Sequence, residues 1–488
     1  MTDNSTIDYD VLTDDDLINL LKRKGTPFIY ENDEITVLDS FRIPKNYMAA
    51  DLKKLVSVKT IQCHDLISLS MPQLRECIDI HGTNLHDISV PELRIAGNIY
   101  IPEVFTFDAD KLISCKHIKA PSAQTLNLNL LESCYDIKAS SATTLLIPQL
   151  KNCRTIDSGN IYHFHAPQLE KAENLNLDIA ESIQIPSLQQ VTDIYAPEAI
   201  HFSAPQLIYS QDIEVYNAQS FSAPNLESGG SIYASSSKDF HARSLTSACH
   251  IHADEAQNIV LDSLVSCENL WSGHVKKINL PYLQECKNIS INDAEYASFE
   301  NLRKSQSIIG GKLNFLYIPQ LEEMENLYTP IIERLSLDQL RDAQDIIAPK
   351  AKNIFMPYIS NCRKMDFYSL ESLSAPWLTD SGNIYAENAK NIFLPELERS
   401  GFLRFSKSLD KTESNGHYYF ILESETNGSF TNIYNMDSGM IKIGDMTYTD
   451  LDHIKDTSKY FFENKQDHEL LITHIKNIPL QSTQLNLE

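Results

Sequence analysis

LQQVTDIYAPEAIHFSAPQ, residues Leu188 to Gln206, is the unit from which most of this chain is built, and Leu207 opens the next copy. Counted from its leucine as position zero, the unit reads L-x-x-C-x-x-I-x-A-x-x-A-x-x-I-x-A-P-x. Upstream, Leu55, Leu74, Leu93, Leu112, Leu131, Leu150 and Leu169 keep the same nineteen-residue spacing. Downstream it runs through Leu226, Leu245, Leu264, Leu283, Leu302, Leu321, Leu340, Leu378 and Leu397, with Ile359 once in place of leucine. A register held without insertions predicts one short unit stacked on copies of itself, each copy lending its apolar side to the next.

Two further columns complete the apolar set. Position six holds residues such as Ile99, Ile118, Ile137, Ile194 and Ile213, and position fourteen holds Phe107, Phe164, Phe202, Phe221 and Phe240; neither column admits a charge. Each stands in an I-x-A triplet, and that in-out-in alternation predicts a short strand. Every turn is therefore expected to give one strand to each of two parallel sheets. Proline at position seventeen, as in Pro148, Pro186, Pro205, Pro224 and Pro395, cannot donate to a ladder, so it predicts the end of the second strand and a corner at P-x-L. Nineteen residues leave little room for a helix, so the rest of the turn should be extended or tightly turned. The expected fold is mainly β: a right-handed β-solenoid of about 19 turns, on the order of 90 Å long at ~4.8 Å per turn.

Capping segments are expected at both ends. Residues 1–54 read as an N-terminal cap, 55–405 as the solenoid and 406–488 as a C-terminal α/β tail domain. In the cap, Thr13 followed by Asp14, Asp15 and Asp16, then Leu17, Leu20 and Leu21, then Lys22, Arg23, Lys24 and Gly25, carries the start and stop signals of a short amphipathic helix. A hairpin from Phe28 to Ile43, turning at Asn32 and Asp33, is expected to join it to the first turn. The tail predicts strands at Tyr418 to Leu422, Phe430 to Tyr434 and Met440 to Ile443, then helices at Asp450 to Phe462 and His468 to Ile475.

A formal net charge of -25 argues against partners held by their phosphates, because that affinity comes from Lys and Arg displacing counterions. Nucleic acid and membrane surface are therefore not expected partners. No apolar run is long enough to span a bilayer, and Met1 to Asp16 carries acids where a secretory signal needs a basic and then an apolar stretch. The expected location is the cytoplasm, or a host cell reached without such a signal. Seven of the nine cysteines, Cys77, Cys115, Cys134, Cys153, Cys267, Cys286 and Cys362, share position three with Ala96, Ala172, Ser210, Gly229 and Ala343. That exchange predicts a small, buried, apolar filler, reduced in a cytosol.

Motifs for chemistry are sparse. No phosphate-cradling glycine loop or nucleophile elbow occurs, and Gly310-Gly311-Lys312 lies inside a repeat. His468 and His474 lack the one-turn spacing of a zinc helix, and the Cys249-His250-Ile251-His252 stretch has no matched third ligand. No catalytic residue, metal site or cofactor is therefore expected. What stands out is position seven, which points away from the core and collects Tyr100, Tyr195, Tyr233, His252, Trp271, Tyr328 and Tyr385. Tyrosine and tryptophan give large contact area with few torsions to freeze, so this column is a candidate binding stripe. Aromatics also favour strands for structural reasons. Two positions earlier stands a column rich in Asp and Asn, including Asp79, Asn98, Asp136, Asp193, Asp212 and Asn288, of the kind that satisfies backbone groups at corners.

The repeat resembles the leucine-rich-repeat-like solenoids of bacterial and phage proteins, whose units read roughly L-P-x-L-x-x-x-x-x-L-x-V. Ala204-Pro205-Gln206-Leu207 and Leu394-Pro395-Glu396-Leu397 share that core, followed six residues on by Ile213 and Leu403. Ile443 to Asp450 is similar to a short tail motif of some such proteins, with Asp450 and Asp445 replacing its usual glutamate and cysteine. The resemblance implies a fold and a microbial source, and no activity.

These observations favour a non-enzymatic scaffold that binds a protein partner along the aromatic stripe, as a bacterial effector or phage-encoded protein would. Two other classes stay open: an acidic nucleic-acid mimic that blocks a DNA-binding protein, and an enzyme with a site in the tail or the solenoid cleft.

Overall fold

The computed structural model describes residues 11–386, parts of 388–405, and the strands Ile441–Ile443 and Met446–Tyr448. The chain forms two compact units, Met1–Cys267 and Glu268–Glu488.

The first unit opens with the strand Val11–Leu12 and helix α1, Asp14–Lys24. The Thr13 side chain and the Asp16 carboxylate satisfy each other's backbone donors in a capping box, and Gly25 ends the helix in the left-handed region at φ 67°. Leu17, Leu20 and Leu21 are buried. Phe28–Glu31 and Glu34–Val37 form an antiparallel hairpin. Asn32 and Asp33 both take positive φ at its turn, as a tight two-residue connection requires. The hairpin is shorter than expected, because Phe41–Arg42 pairs in parallel with Ile61 and Gln62. Ala49–Asp51 already joins the second sheet, against Val11–Leu12 on one side and Ser68–Ser70 on the other.

From Leu55 onward the turns repeat. One strand spans positions two to seven, as in Glu76–His81, Ser114–Lys119 and Tyr209–Glu214. A second spans positions thirteen to fifteen, as in His201–Ser203 and Ser220–Ser222. Every partner lies nineteen residues away: Ile99 faces Ile118, Ile118 faces Ile137, and Phe202 faces Phe221. Two tight turns close each unit. The Ala199 N–H donates to Ala196 O at 3.1 Å, and Leu207 N–H to Ala204 O at 3.1 Å, so A-x-x-A and A-P-x-L are the corners. Proline falls two residues past the second strand, where no ladder donor is needed.

The core is the stack of position zero, six and fourteen columns. Phe202, Phe221 and Phe240 lie stacked with centroids 5.2 and 4.7 Å apart. Between Thr144–Leu146 and His163–His165 the second sheet is interrupted, dividing it into seven and six strands.

The second unit repeats this plan. Its first-strand set includes Glu285–Ile291, Lys304–Gly310, Glu323–Tyr328 and Asp342–Ile347, all parallel. Its second sheet has seven strands, from Lys277–Asn279 to Asn391–Phe393. Among the described residues of the two units there are about 18 turns, close to the expected number. The repeat that opens at Leu397 contributes first-strand residues alone, Arg399–Ser400 and Leu403–Phe405, to the described strands. In the tail, Ile441–Ile443 pairs antiparallel with Met446–Tyr448. The expected strands at Tyr418 to Leu422 and Phe430 to Tyr434, and both expected helices, lie outside the described residues. No helix among the described residues is long and apolar enough to cross a membrane.

Candidate functional site

Position seven lies at the outer face of the first-strand sheet, next to the buried position-six residue. In the first unit its column runs His81, Tyr100, Lys119, Lys138, Asp157, Asn176, Tyr195, Glu214, Tyr233 and His252, each paired in register with the next. The aromatic residues therefore do not form one stripe. Tyr100 is separated from Tyr195 by two lysines, an aspartate and an asparagine. Tyr195, Tyr233 and His252 are gathered around Glu214, with the Tyr233 and His252 rings stacked at 4.7 Å. In the second unit Trp271, Tyr328 and Tyr385 stand three repeats apart, with Ile309 and Ile347 flanking Tyr328. Tyr385 lies under the Lys364 ammonium at 5.6 Å.

A residue outside the expected column completes the first-unit cluster. Tyr216, 37% exposed at position nine, donates its hydroxyl to Glu214 Oε2 at 2.8 Å and sits 5.6 Å from the Tyr233 ring. Burial, and then the Glu214 carboxylate, push its phenol up to about 12. The signal that could have found it is its place two residues beyond the first strand, on the same side of the chain as Glu214. Burial lowers the His252 imidazole below its ordinary value, and nearby Asp254 opposes that shift.

The Asp and Asn column is half-buried and lies within the strands rather than at a corner. Its side chains bond to one another from turn to turn: Asn98 Nδ2 donates to Asp79 Oδ1 at 2.6 Å, and Asn288 Nδ2 to Asn269 Oδ1 at 2.6 Å. Beside the aromatic cluster this pattern fails. Asp212 Oδ1 accepts the Ser231 N–H at 2.8 Å. The close approach behind that bond needs Gly230, whose added Cβ would lie 2.3 Å from Gln211 O. Asp193 Oδ1 is buried with no hydrogen-bond partner. Burial, and then the Asp212 charge, raise the Asp193 carboxyl.

Position three corrects another expectation. Cysteine there is a polar donor as well as a filler: Cys77 Sγ reaches Asp79 O at 3.2 Å, and Cys115 Sγ reaches Gly97 O at 3.1 Å. Ser210 Oγ makes the same pair of contacts, to Thr192 O and Asp212 O, both at 3.3 Å. Cys115, Cys134 and Cys153 floor an open groove of about 850 Å³ walled by Lys116, Tyr135 and Arg154. His250 and His252 flank buried Ile251 on one strand, and Cys249 beside them is exposed. Among the described residues no group of three or more His, Cys, Asp or Glu is placed to hold a metal ion. His468 and His474 lie outside them.

No family model matches the chain, and no curated protein matches it. Among solved structures it is similar to CroV588, a circular leucine-rich-repeat protein, at 9% identity and a TM-score of 0.27, covering 79% of this chain and 78% of that one. A leucine-rich-repeat protein from Bacteroides ovatus matches at 12% identity and 0.17, covering 75% and 88%. The pneumococcal vaccine antigen PcpA matches at 10% identity and 0.16, covering 76% and 98%. Superpositions this loose carry no functional argument. The nineteen-residue parallel register and the leucine at each corner make the chain a leucine-rich-repeat-like β-solenoid.

Proposed function

We propose that this protein is a non-enzymatic scaffold that binds a protein partner, and that the cluster of Tyr195, Glu214, Tyr216, Tyr233 and His252 takes an arginine or lysine side chain from that partner. The observation that carries this is a carboxylate set among aromatic rings in a region without compensating cations. Between Lys171 and Lys238 the sequence has eight acidic residues and no Lys or Arg. A cation over a ring face gains from the ring quadrupole, and more when a carboxylate shares the site. Asp193, half-buried with one buried and unpartnered oxygen, adds a second charge whose cost to the folded protein an incoming cation would offset. The nucleic-acid mimic is less favoured. It needs an unbroken anionic face, whereas ladders such as Lys111–Glu92 and Lys151–Glu132 alternate in sign.

Selection from a displayed random peptide library tests the reading. Enriched peptides are expected to share an Arg or Lys, and joint replacement of Tyr195, Tyr216 and Tyr233 by alanine should abolish their capture with little change in the melting curve. Enriched peptides without cations, or undiminished capture by the folded triple variant, would refute it. Asp193→Asn is expected to weaken the same peptides while leaving stability at pH 7 equal or higher, since it removes a buried charge.

A further inference from the structure

A second pocket, of about 370 Å³, lies on the same sheet face several turns earlier and has the opposite chemistry. His81, Tyr100, His117, Lys119 and Arg154 line it, together with Asp136. The carboxylate is already fully engaged. Arg154 donates to Asp136 Oδ1 through Nε at 3.0 Å and to Oδ2 through Nη2 at 2.7 Å, and His117 Nδ1 lies 2.7 Å from the same Oδ2. That leaves His117 Nε2, Arg154 Nη1, the Tyr100 hydroxyl, a His81 ring nitrogen and the Lys119 ammonium as the groups a ligand would meet. All of them can donate, and four carry or can carry positive charge.

Lys119 lacks the pairing that several lysines of the outer surface have. Each of these is met by a glutamate one turn away: Lys111 by Glu92, Lys151 by Glu132, Lys287 by Glu268, Lys352 by Glu333. Lys119 instead stands in register between Tyr100 and Lys138, and has no ion pair among the described residues. Two ammonium groups on adjacent strands, ~4.8 Å apart at the backbone, repel each other. Asp157 follows Lys138 in the column, so the first acid in that direction stands two turns from Lys119.

We infer that this pocket is an oxyanion site whose preferred ligand is a phosphate group. Donors come from neighbouring turns of one sheet face. A phosphate presents three terminal oxygens to such an arrangement, whereas a carboxylate presents one plane. The site is independent of the aromatic cluster, and it runs against the charge of the chain as a whole.

Calorimetric titration of the full chain with inorganic phosphate, O-phosphotyrosine and acetate provides the test. Saturable heats are expected for phosphate, for phosphotyrosine or for both, with acetate weaker. Lys119→Gln should lower the affinity about tenfold without shifting the melting curve, while Lys111→Gln, which removes a ladder lysine, should leave it unchanged. Equal affinities for the two phosphates indicate a free anion as the natural ligand; binding of phosphotyrosine alone indicates a phosphorylated side chain. No saturable binding of either, acetate binding as well as phosphate, or full affinity in Lys119→Gln would each overturn the assignment.

Discussion

Position three accepts cysteine, serine, alanine or glycine because the room there is small and two carbonyls, one two residues ahead and one eighteen residues behind, lie within reach of a short donor. Alanine and glycine fit without using those acceptors. The thiols that do are poor nucleophiles. Burial pushes Cys77 and Cys362 up to about 12, and the Cys115–Cys134–Cys153 contacts, with burial, raise Cys134 and Cys153 further. Ellman's reagent at pH 8 is expected to titrate the exposed Cys249 quickly and the other cysteines only after denaturation; fast reaction of several thiols in the native protein would contradict their burial. Asp136 supplies a second prediction. Burial acts to raise its carboxyl, but Arg154 and then His117 hold it below its ordinary value. Its ionised form therefore stabilises the fold above pH 3.8, and that contribution is lost as pH falls below 3.8 towards the depressed native value. Asp136→Asn should cost about 2–3 kcal/mol at neutral pH, and urea melts should show the gap closing in acid; a constant gap down to about pH 3 would argue against this ion pair.

Each turn is an element made of two strands and two corners, and the in-out alternation decides what a substitution costs. Ile213, next to the end of Tyr209–Glu214, is fully buried, whereas Tyr195 is 42% exposed. Ile213→Ala is expected to cost ~2–5 kcal/mol through lost burial and a cavity, and Tyr195→Ala well under that, as measured by urea denaturation. Equal losses would mean that the two faces have been interchanged. The strands, their register, the capped helix and the Asn32-Asp33 turn were all legible, because period-two alternation and capping chemistry are local. The length of the hairpin was not. Phe41–Arg42 pairs with Ile61 and Gln62, a choice made by a strand twenty residues away.

For the whole molecule, net charge outweighs the surface ladders. Exposed pairs such as Lys111–Glu92 and Lys352–Glu333 contribute little each, while a formal charge of -25 acts on every turn. Raising sodium chloride from ~10 mM to ~0.5 M should therefore raise the melting temperature, since screening relieves more repulsion than attraction; a fall would show that the ladders dominate. The same screening should weaken a cationic peptide at the aromatic cluster only in part, because its ring contacts are not charge pairs alone. The nineteen-residue leucine register by itself determined that this chain is a parallel β-solenoid and which columns face its core, because stacking identical units aligns equivalent side chains. Which outward residues meet across turns was decided only by the tertiary structure. Tyr216 joins Glu214 and Tyr233, and Lys119 lies beside Lys138 rather than an acid, because contact between turns depends on where each side chain leans from its strand.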